Sequence, residues 1–432
     1  MQIMMKKPSF KTTKFACYAS YFTMSSVFCV PPLLFVTFRE LYGISYTLLG
    51  TLVLVNFLTQ LGIDLIFTAF SKHFNLKKIA STMPLLTALG LFLYALIPAF
   101  FPHAAYVGLL VGTLIFSVAA GLAEVLLSPT IAALPSDNPQ RDMSLLHSLY
   151  AFGTFTMIVV STLFLKIFGA EHWTYLFLIL GCLPVIPAVL FMISPMPSRE
   201  DEADVKTSSH DPKRRVMGLA LCVVCIFFGS CAENSMGNWI STYVETALGI
   251  SKAVGDILGA AMFAVLLGVA RIAYAKFGKN ICRTLLVSMI CAAICYLAVG
   301  LSPNATVAFI ACILTGFCTS MLWPGTLIMM EEKIPHAGVA AFALMAAGGD
   351  LGAALGPQLL GIVVDSVSTS GFVAQTAPAL GISAEQLGLK VGMLVTALFP
   401  IIGIVTVLVI MRHFKKESKE AESRKQDGES GI

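Results

Sequence analysis

Polar side chains cluster in one apolar stretch, GSCAENSMGNWISTY, which ends at Tyr243. On a helix, Asn234 and Asn238 share one face at i and i+4, and Glu233 lies beside it. Amides and a carboxylate hydrogen-bond several hydroxyl groups at once, and an aromatic face stacks against the C–H side of a sugar ring. The stretch therefore predicts a solute-binding surface lining an aqueous cavity. Its predicted members are Glu233, Asn234, Asn238, Trp239 and Tyr243. The alternative for the two aromatic residues is an interfacial belt.

Ionisable groups inside other apolar stretches indicate function, because each costs about 2.5–3.5 kcal/mol at the bilayer centre. Glu124 is the clearest of them, and we predict that Glu124 and Glu233 bind substrate and carry the coupling proton. The alternative for Glu124 is a protonated side chain that hydrogen-bonds a neighbouring helix.

A second polar pattern is the stripe Asn56, Gln60 and Asp64 at i, i+4 and i+8. We expect Asn56, Gln60 and the aromatic Trp323 to contribute to substrate binding, with core packing as the alternative for Trp323. Four further residues are assigned to a gate or to a structural polar network: Asp64, Asp350, Gln358 and Arg271. Arg271 is near the cytoplasmic end of its helix, where it can snorkel to the interface.

The composition places these residues in a membrane protein. Of 432 residues 57% are hydrophobic and 12% are charged, with a mean hydropathy of +0.84, whereas a soluble domain is typically about 25% charged. Most of the eleven cysteines lie in apolar runs, which argues against a disulfide framework. The sequence has no paired nucleophile and base, no metal-binding motif and no phosphate-binding Gly-rich loop. We therefore predict no enzymatic activity, no cofactor, no metal and no nucleic-acid partner.

Twelve apolar segments predict an all-α integral membrane protein with twelve transmembrane helices. They are approximately 14–36, 45–70, 78–100, 105–132, 144–167, 173–194, 216–243, 253–276, 282–301, 305–330, 337–365 and 389–411. The polar stretch 195–215 is a linker between six-helix bundles 14–194 and 216–411, and 1–13 and 412–432 are tails. In the outer segment 366–389 we expect a short helix around SAEQLG.

The positions of basic residues predict the orientation. Of the 28 Lys and Arg residues, four fall on the side opposite the termini: Arg39, Lys166, Lys252 and Lys390. The positive-inside rule therefore puts both termini in the cytoplasm. Compact tails and short loops favour a bacterial inner membrane.

The two halves repeat each other. GLAEVLLSP, from Gly121, matches GFCTSMLWP, from Gly316, and Gly153 matches Gly348, all at a spacing of 195 residues. Both members of each pair run in the same membrane direction, which makes the repeat parallel. Such repeats hold a substrate site near the midplane between them.

With twelve spans and a parallel repeat, the whole chain resembles the major facilitator superfamily. FSKHFNLKK after the second span and AKFGKN after the eighth keep the basic end of that family's loop motif, without its acidic residue. GGDLGAALGP in the eleventh span is also similar, with glycines that permit close helix packing.

Within this family, the region of Glu124 is nearest to the fucose–proton symporter branch. That branch has a helix-4 glutamate before an Asn-Pro pair, and here Ser128 replaces the asparagine. The resemblance implies that Glu124 faces a central cavity and binds substrate and proton. A second acid on helix 1 is absent, because Val27 or Phe28 stands at that place.

The predicted function is secondary active transport by alternating access of a small polar solute, most simply a sugar, coupled to protons. The alternative is an exporter of amphipathic or cationic drug-like compounds, which the 19 Met and 30 Phe residues would suit. Organic anions are less favoured, since Arg271 is the single intramembrane cation. The expected partners are the solute, the proton and the lipid bilayer, and we expect a monomer.

Overall fold

The computed structural model of the protein describes residues 10–70, 75–137, 139–197, 212–334 and 339–429. Within these ranges the chain is helical, with short connections and no strand. Eleven helices are long and apolar enough to cross a membrane. A twelfth span is formed if Lys11–Leu33 and Phe35–Tyr42, which meet at a bend of 52°, count as one. The predicted twelve-helix architecture is confirmed. The predicted linker, the predicted N-terminal tail and part of FSKHFNLKK lie largely outside the described residues.

The helices follow one another with few intervening residues. They are α1 Lys11–Leu33, α2 Phe35–Tyr42, α3 Tyr46–Phe70, α4 Leu76–Phe100, α5 Ala105–Ala133, α6 Pro139–Phe168, α7 Trp173–Cys182, α8 Val185–Ile193, α9 Pro212–Thr242, α10 Lys252–Val254, α11 Met262–Phe277, α12 Ile281–Leu301, α13 Ala305–Thr319, α14 Leu322–Lys333, α15 Val339–Ser368, α16 Gly371–Ala379, α17 Ala384–Thr396 and α18 Leu398–Glu429. Two π-helical segments, Tyr243–Ala247 and Gly255–Ala261, flank α10.

Prolines lie at or beside four breaks in the spans. A proline has no N–H, so it cannot donate to the carbonyl four residues before it, and its ring crowds that carbonyl. The breaks lie after α1, between α7 and α8, between α13 and α14, and between α17 and α18. The prolines at or beside these breaks are Pro31, Pro32, Pro184, Pro324 and Pro400.

The last span begins earlier than predicted. Ser383 accepts a hydrogen bond from the backbone N–H of Gln386, while the Gln386 side chain accepts one from the backbone N–H of Ser383. This capping box starts α17 at Ala384. SAEQLG is therefore the first turn of the span and not a separate helix. The short helix of the outer segment is α16, Gly371–Ala379.

The chain forms two compact units, of which the first comprises Met1–Glu202 and Asn238–Val265, and the second Ala203–Gly237 and Leu266–Ile432. The boundaries between them therefore fall after Glu202, within α9 and within α11. The division into bundles 14–194 and 216–411 remains a prediction.

Small residues set the helix packing inside each unit, as the repeat predicts. In the first unit, a Cβ at Gly153 of α6 would lie 2.7 Å from the carbonyl oxygen of Phe22 on α1. In the second unit, a Cβ at Gly348 of α15 would lie 2.8 Å from the Val223 side chain on α9. Gly153 and Gly348 are the pair spaced 195 residues apart, and each supports a close helix contact within its own unit.

The contact between α15 and α9 leads to a prediction about stability. A Cβ at Gly356 would lie 2.8 Å from the backbone oxygen of Cys231 and 2.7 Å from the Ser235 hydroxyl. Gly356→Val must therefore push two helices apart, and we expect a loss of about 3 kcal/mol or more. Gly268 of α11 has no atom within 4 Å of its Cβ position, so Gly268→Val is the matched control. The apparent Tm in detergent should fall clearly for Gly356→Val and little for Gly268→Val. Equal losses would contradict the close contact.

Candidate functional site

Two carboxylates from different spans come together in the first unit. Glu124 of α5 has an exposed side chain, while Asp64 of α3 is half-buried. The Glu124 charge acts on the carboxyl of Asp64 and on the hydroxyl of Tyr21. One oxygen of Asp64 is buried and has no hydrogen-bond partner among the described residues. Because binding of one proton removes the repulsion between two neighbouring carboxylates, this pair is chemically suited to carry a proton.

Close packing of α3 and α5 brings the pair together. A Cβ at Gly121 of α5 would lie 3.1 Å from the Cα of Gln60 and 3.0 Å from the Cβ of Ile63. Glu124 follows Gly121 by one helical turn, and Asp64 follows Ile63 directly. The sequence indicated that a second acid was missing from helix 1, and the acid near Glu124 in the structure is Asp64 of the second span.

Tyr21 of α1 completes the surroundings of Glu124. Its hydroxyl hydrogen-bonds the side chain of Ser128, the residue that stands in place of the branch's asparagine. Its ring meets Tyr150 of α6 edge to face, with 5.9 Å between centroids. Phe28 packs against the same Tyr150 ring at 5.9 Å. Phe28 and Tyr21 therefore form an aromatic wall on α1 where the family resemblance places an acid.

A small cavity lies in the first unit. Its lining is mostly apolar and includes two amide side chains. The lining residues are Val27, Phe28, Pro31, Pro32, Phe35, Leu52, Val53, Asn56, Thr113, Phe116 and Asn238. Apolar walls with a few convergent polar groups are typical of small-molecule sites. Two residues that the sequence singled out from different spans, Asn56 and Asn238, are thus brought to one cavity.

The Asn56 side chain is held by hydrogen bonds to its oxygen. Gln60 donates to this oxygen at 2.9 Å and the Ser117 hydroxyl donates at 2.7 Å. Gln60 and Ser117 are buried. The amide nitrogen of Asn56 makes no hydrogen bond to any described residue, so its N–H donors remain available to a ligand in the cavity. Gln60 therefore orients Asn56, and the predicted contact of Gln60 itself with substrate stays a prediction.

Trp239 and Tyr243 have no exposed surface. The Trp239 ring packs between Phe35, at 5.3 Å, and Tyr46, at 5.6 Å. The interfacial-belt alternative for these two residues is wrong, because neither ring reaches the surface. Trp239 supports the cavity wall through Phe35, while stacking of either ring on a sugar remains a prediction.

In the second unit, Glu233 of α9 forms an ion pair with Arg271 of α11. The Arg271 Nη2 donates to Glu233 Oε1 at 3.3 Å, and its Nε donates to the backbone oxygen of Ser320 at 3.0 Å. That oxygen lies in the break between α13 and α14 and is free because Pro324, four residues later, has no N–H. The Arg271 side chain is therefore held by Glu233 and Ser320, while its snorkelling to the interface stays a prediction.

The remaining predicted residues of the second unit are placed as follows. Asn234 donates to the backbone oxygen and the hydroxyl of Ser230 on its own helix, at 3.1 and 3.2 Å. Trp323 is half-buried and its ring lies against Gly349 of α15.

Asp350 is 5% exposed, and the Oε1 of the half-buried Gln358 has no partner among the described residues. Asp64 belongs to the first unit, whereas Asp350 and Gln358 belong to the second. The proposed gate among these three stays a prediction.

The sequence did not single out a buried charged cluster in the first unit. Asp256, at 0% exposure, accepts hydrogen bonds from the hydroxyls of Thr162 on α6, at 3.1 Å, and Ser241 on α9. Lys252 lies 3.4 Å from Asp256 and 3.6 Å from Glu245, and it donates to the backbone oxygen of Leu33 at the end of α1. Spans 1, 5, 7 and 8 therefore meet at one ionic centre, which we call the outer cluster, because Lys252 belongs to the predicted outer side. Its sequence signal was Asp256 four residues after Lys252, at ion-pair spacing.

Comparison with known proteins adds the family. The family model of the Major Facilitator Superfamily matches residues 15–357. No curated protein matches the chain significantly. A bacterial homologue of the human lysosomal transporter Spinster, in an inward-facing conformation, shares 15% identity over 95% of this chain and 98% of its own, with a TM-score of 0.72.

Two solved structures of sugar transporters share the fold. The D-xylose–proton symporter is 15% identical over 91% of this chain and 97% of its own, with a TM-score of 0.68. The E. coli fucose:proton symporter is 14% identical over 93% and 99%, with a TM-score of 0.58. Because the sequence identities are this low, the similarity to these structures shows a shared fold only. The family match covers most of the chain and agrees with the helices and the internal repeat, and the chain therefore belongs to the Major Facilitator Superfamily of membrane transporters.

Proposed function

We propose that this protein is a proton-coupled secondary active transporter of a small polar solute, with sugars as the first substrate class. The observation that carries this proposal is the polar stripe of α3. Asn56 lines the cavity, Gln60 bonds to Asn56, and Asp64 lies with Glu124. Asn56 and Asp64 are eight residues apart, or about 12 Å along the helix axis. One helix thus joins a solute-binding group to a proton-carrying pair.

The geometry suggests how the two events are linked. A hydroxyl-bearing solute accepts hydrogen bonds from the free amide N–H groups of Asn56 and contacts Asn238 across the cavity. Movement of α3 on solute binding alters the environment of Asp64 and therefore its repulsion with Glu124. Coupling between a filled cavity and a protonated pair is the requirement for uphill transport by alternating access.

The export of amphipathic or cationic compounds remains the second candidate. The specific observation in its favour is the apolar lining of the cavity, where the two asparagines and Thr113 are the polar members of the described lining. On this reading Glu124 attracts the cationic group of the compound. Glu124 therefore has a role in both candidates, and Asn238 separates them, since an apolar compound gains nothing from its amide.

The experiment that separates the two candidates measures thermal stability with different solutes. Purified protein in detergent is heated with millimolar L-fucose, D-xylose, D-glucose, uridine or tetraphenylphosphonium. A bound ligand stabilises the folded state by about 2.7 kcal/mol at one hundred times its Kd. We expect stabilisation by a sugar, its loss in Asn238→Ala, and a smaller change in Asn234→Ala, because the Asn234 amide is bonded to its own helix. If tetraphenylphosphonium were the only compound to stabilise the protein, the exporter would be the remaining candidate function.

A further inference from the structure

The guanidinium of Arg271 is fixed on one side and open on the other. Its Nε is held by the backbone oxygen of Ser320 and one Nη2 proton by Glu233, yet 43% of the side chain is exposed. Arg271 lies six residues, or about 9 Å, before the end of a membrane-spanning helix at Phe277. A guanidinium that faced lipid there would be costly, so its open side is expected to face water or a polar ligand.

The ion pair between Arg271 and Glu233 is incomplete. Arginine has five N–H donors and pairs most strongly with a carboxylate through two parallel hydrogen bonds. Here one N–H meets one carboxylate oxygen at 3.3 Å, and the other oxygen of Glu233 is buried without a partner among the described residues. Three donors of Arg271 make no hydrogen bond to the described part of the chain. An arginine serving only to neutralise Glu233 would be expected to form the paired contact.

We infer that Arg271 is the binding site for an acid group of the transported solute, and that Glu233 competes with that group for the same guanidinium. The inference rests on the proposed transport function and narrows its substrate class to polar acids, such as sugar acids or hydroxy acids. The contact with Ser320 holds the guanidinium plane in place, which leaves the two Nη groups to form a paired contact with an incoming carboxylate.

Charge favours a carboxylate over a phosphate. Arg271 supplies one positive charge and Glu233 one negative charge, so a monovalent carboxylate brings the group to a net charge of −1. A phosphate monoester carries a charge near −2 and would leave about −2 at the same place, beside a half-buried Glu233. Because Arg271 is already paired with Glu233, its charge suits a ligand with one negative charge, such as a carboxylate, better than a phosphate with two.

The test compares acids with their neutral counterparts in purified protein. D-gluconate, D-glucuronate and L-lactate are titrated against D-glucose, glycerol and inorganic phosphate, with thermal stabilisation as the measure of affinity. The variants are Arg271→Lys, which keeps the charge but loses the planar fork, and Glu233→Gln, which removes the competitor. Lys276→Gln is the control, because it removes an exposed positive charge from the same helix.

The two members of the ion pair are expected to have opposite effects. Arg271→Lys should weaken binding of the acid at least about tenfold, Glu233→Gln should strengthen it severalfold, and Lys276→Gln should leave it unchanged. A purely structural ion pair would make both Arg271→Lys and Glu233→Gln weaken binding, and that result would overturn the inference. It would also be overturned if no acid stabilised the wild type more than its neutral counterpart. If neutral sugars were then still taken up against their gradient, the proposed transport function would stand without it.

Discussion

Glu124→Gln is expected to abolish uphill transport while leaving exchange of solute across the membrane intact. The glutamine keeps the size and hydrogen-bonding capacity of the side chain, but it cannot exchange a proton with either side. A gradient of one pH unit is worth about 1.4 kcal/mol, which drives about tenfold accumulation for one proton per solute. In proteoliposomes, wild-type protein should approach this ratio, whereas Glu124→Gln should reach only the outside concentration.

Two comparisons make this prediction specific. Glu171→Gln removes a carboxylate whose side chain is 65% exposed and whose ion-pair partner is His172, and it should keep full accumulation. Asp64→Asn combined with Glu124→Gln should behave like Glu124→Gln alone, because residues that act as one unit are not additive. Uphill uptake by Glu124→Gln would show that the coupling proton is carried elsewhere.

The second large effect is expected in the outer cluster. Lys252→Met leaves the fully buried carboxylate of Asp256 without a counter-charge, and breaking a buried ion pair in this way costs about 3–5 kcal/mol. Asp256→Asn should cost less, because Lys252 keeps Glu245 and the backbone oxygen of Leu33 as partners. The apparent Tm should therefore fall more for Lys252→Met than for Asp256→Asn.

The double variant tests whether the effect arises from pairing. With Lys252→Met and Asp256→Asn together, no unpaired charge remains between the two residues, so much of the stability lost by Lys252→Met should return. Lys166→Met is a suitable comparison, since this lysine also lies on the predicted outer side but is exposed at the end of α6. Losses that simply add in the double variant would contradict the role of the ion pair in holding spans 1, 5, 7 and 8 together.

Local patterns were sufficient to predict the architecture. Long apolar runs identify the spans because a helix in lipid must satisfy its own backbone, and the 195-residue spacing of Gly153 and Gly348 predicted their equivalent roles. Two further features were readable but overlooked. Ser383 with Gln386 three residues later is a capping box, and Pro324 leaves the Ser320 oxygen free to accept from Arg271.

The candidate site was only partly predictable because it depends on contacts between distant parts of the chain. The polar stripe on α3 was visible in the sequence from its four-residue spacing. The placement of its Asp64 near Glu124 depends on the close approach of Gly121 to Gln60, which the sequence does not show. Asp256 was not singled out, because its bond from Thr162 joins residues that are 94 positions apart in the sequence. Residue type alone likewise did not distinguish the packed ring of Trp239 from a ring that lines a cavity.

The measurement that tests the central claim most directly follows internal pH in proteoliposomes loaded with a pH-sensitive dye. Solutes of each class are added outside: L-fucose, D-xylose, D-glucuronate and L-lactate, with tetraphenylphosphonium for the exporter. We predict that one polar solute acidifies the interior with wild-type protein and that Glu124→Gln abolishes this acidification. A solute that enters and equilibrates without moving protons, in wild type and variant alike, would contradict proton-coupled transport.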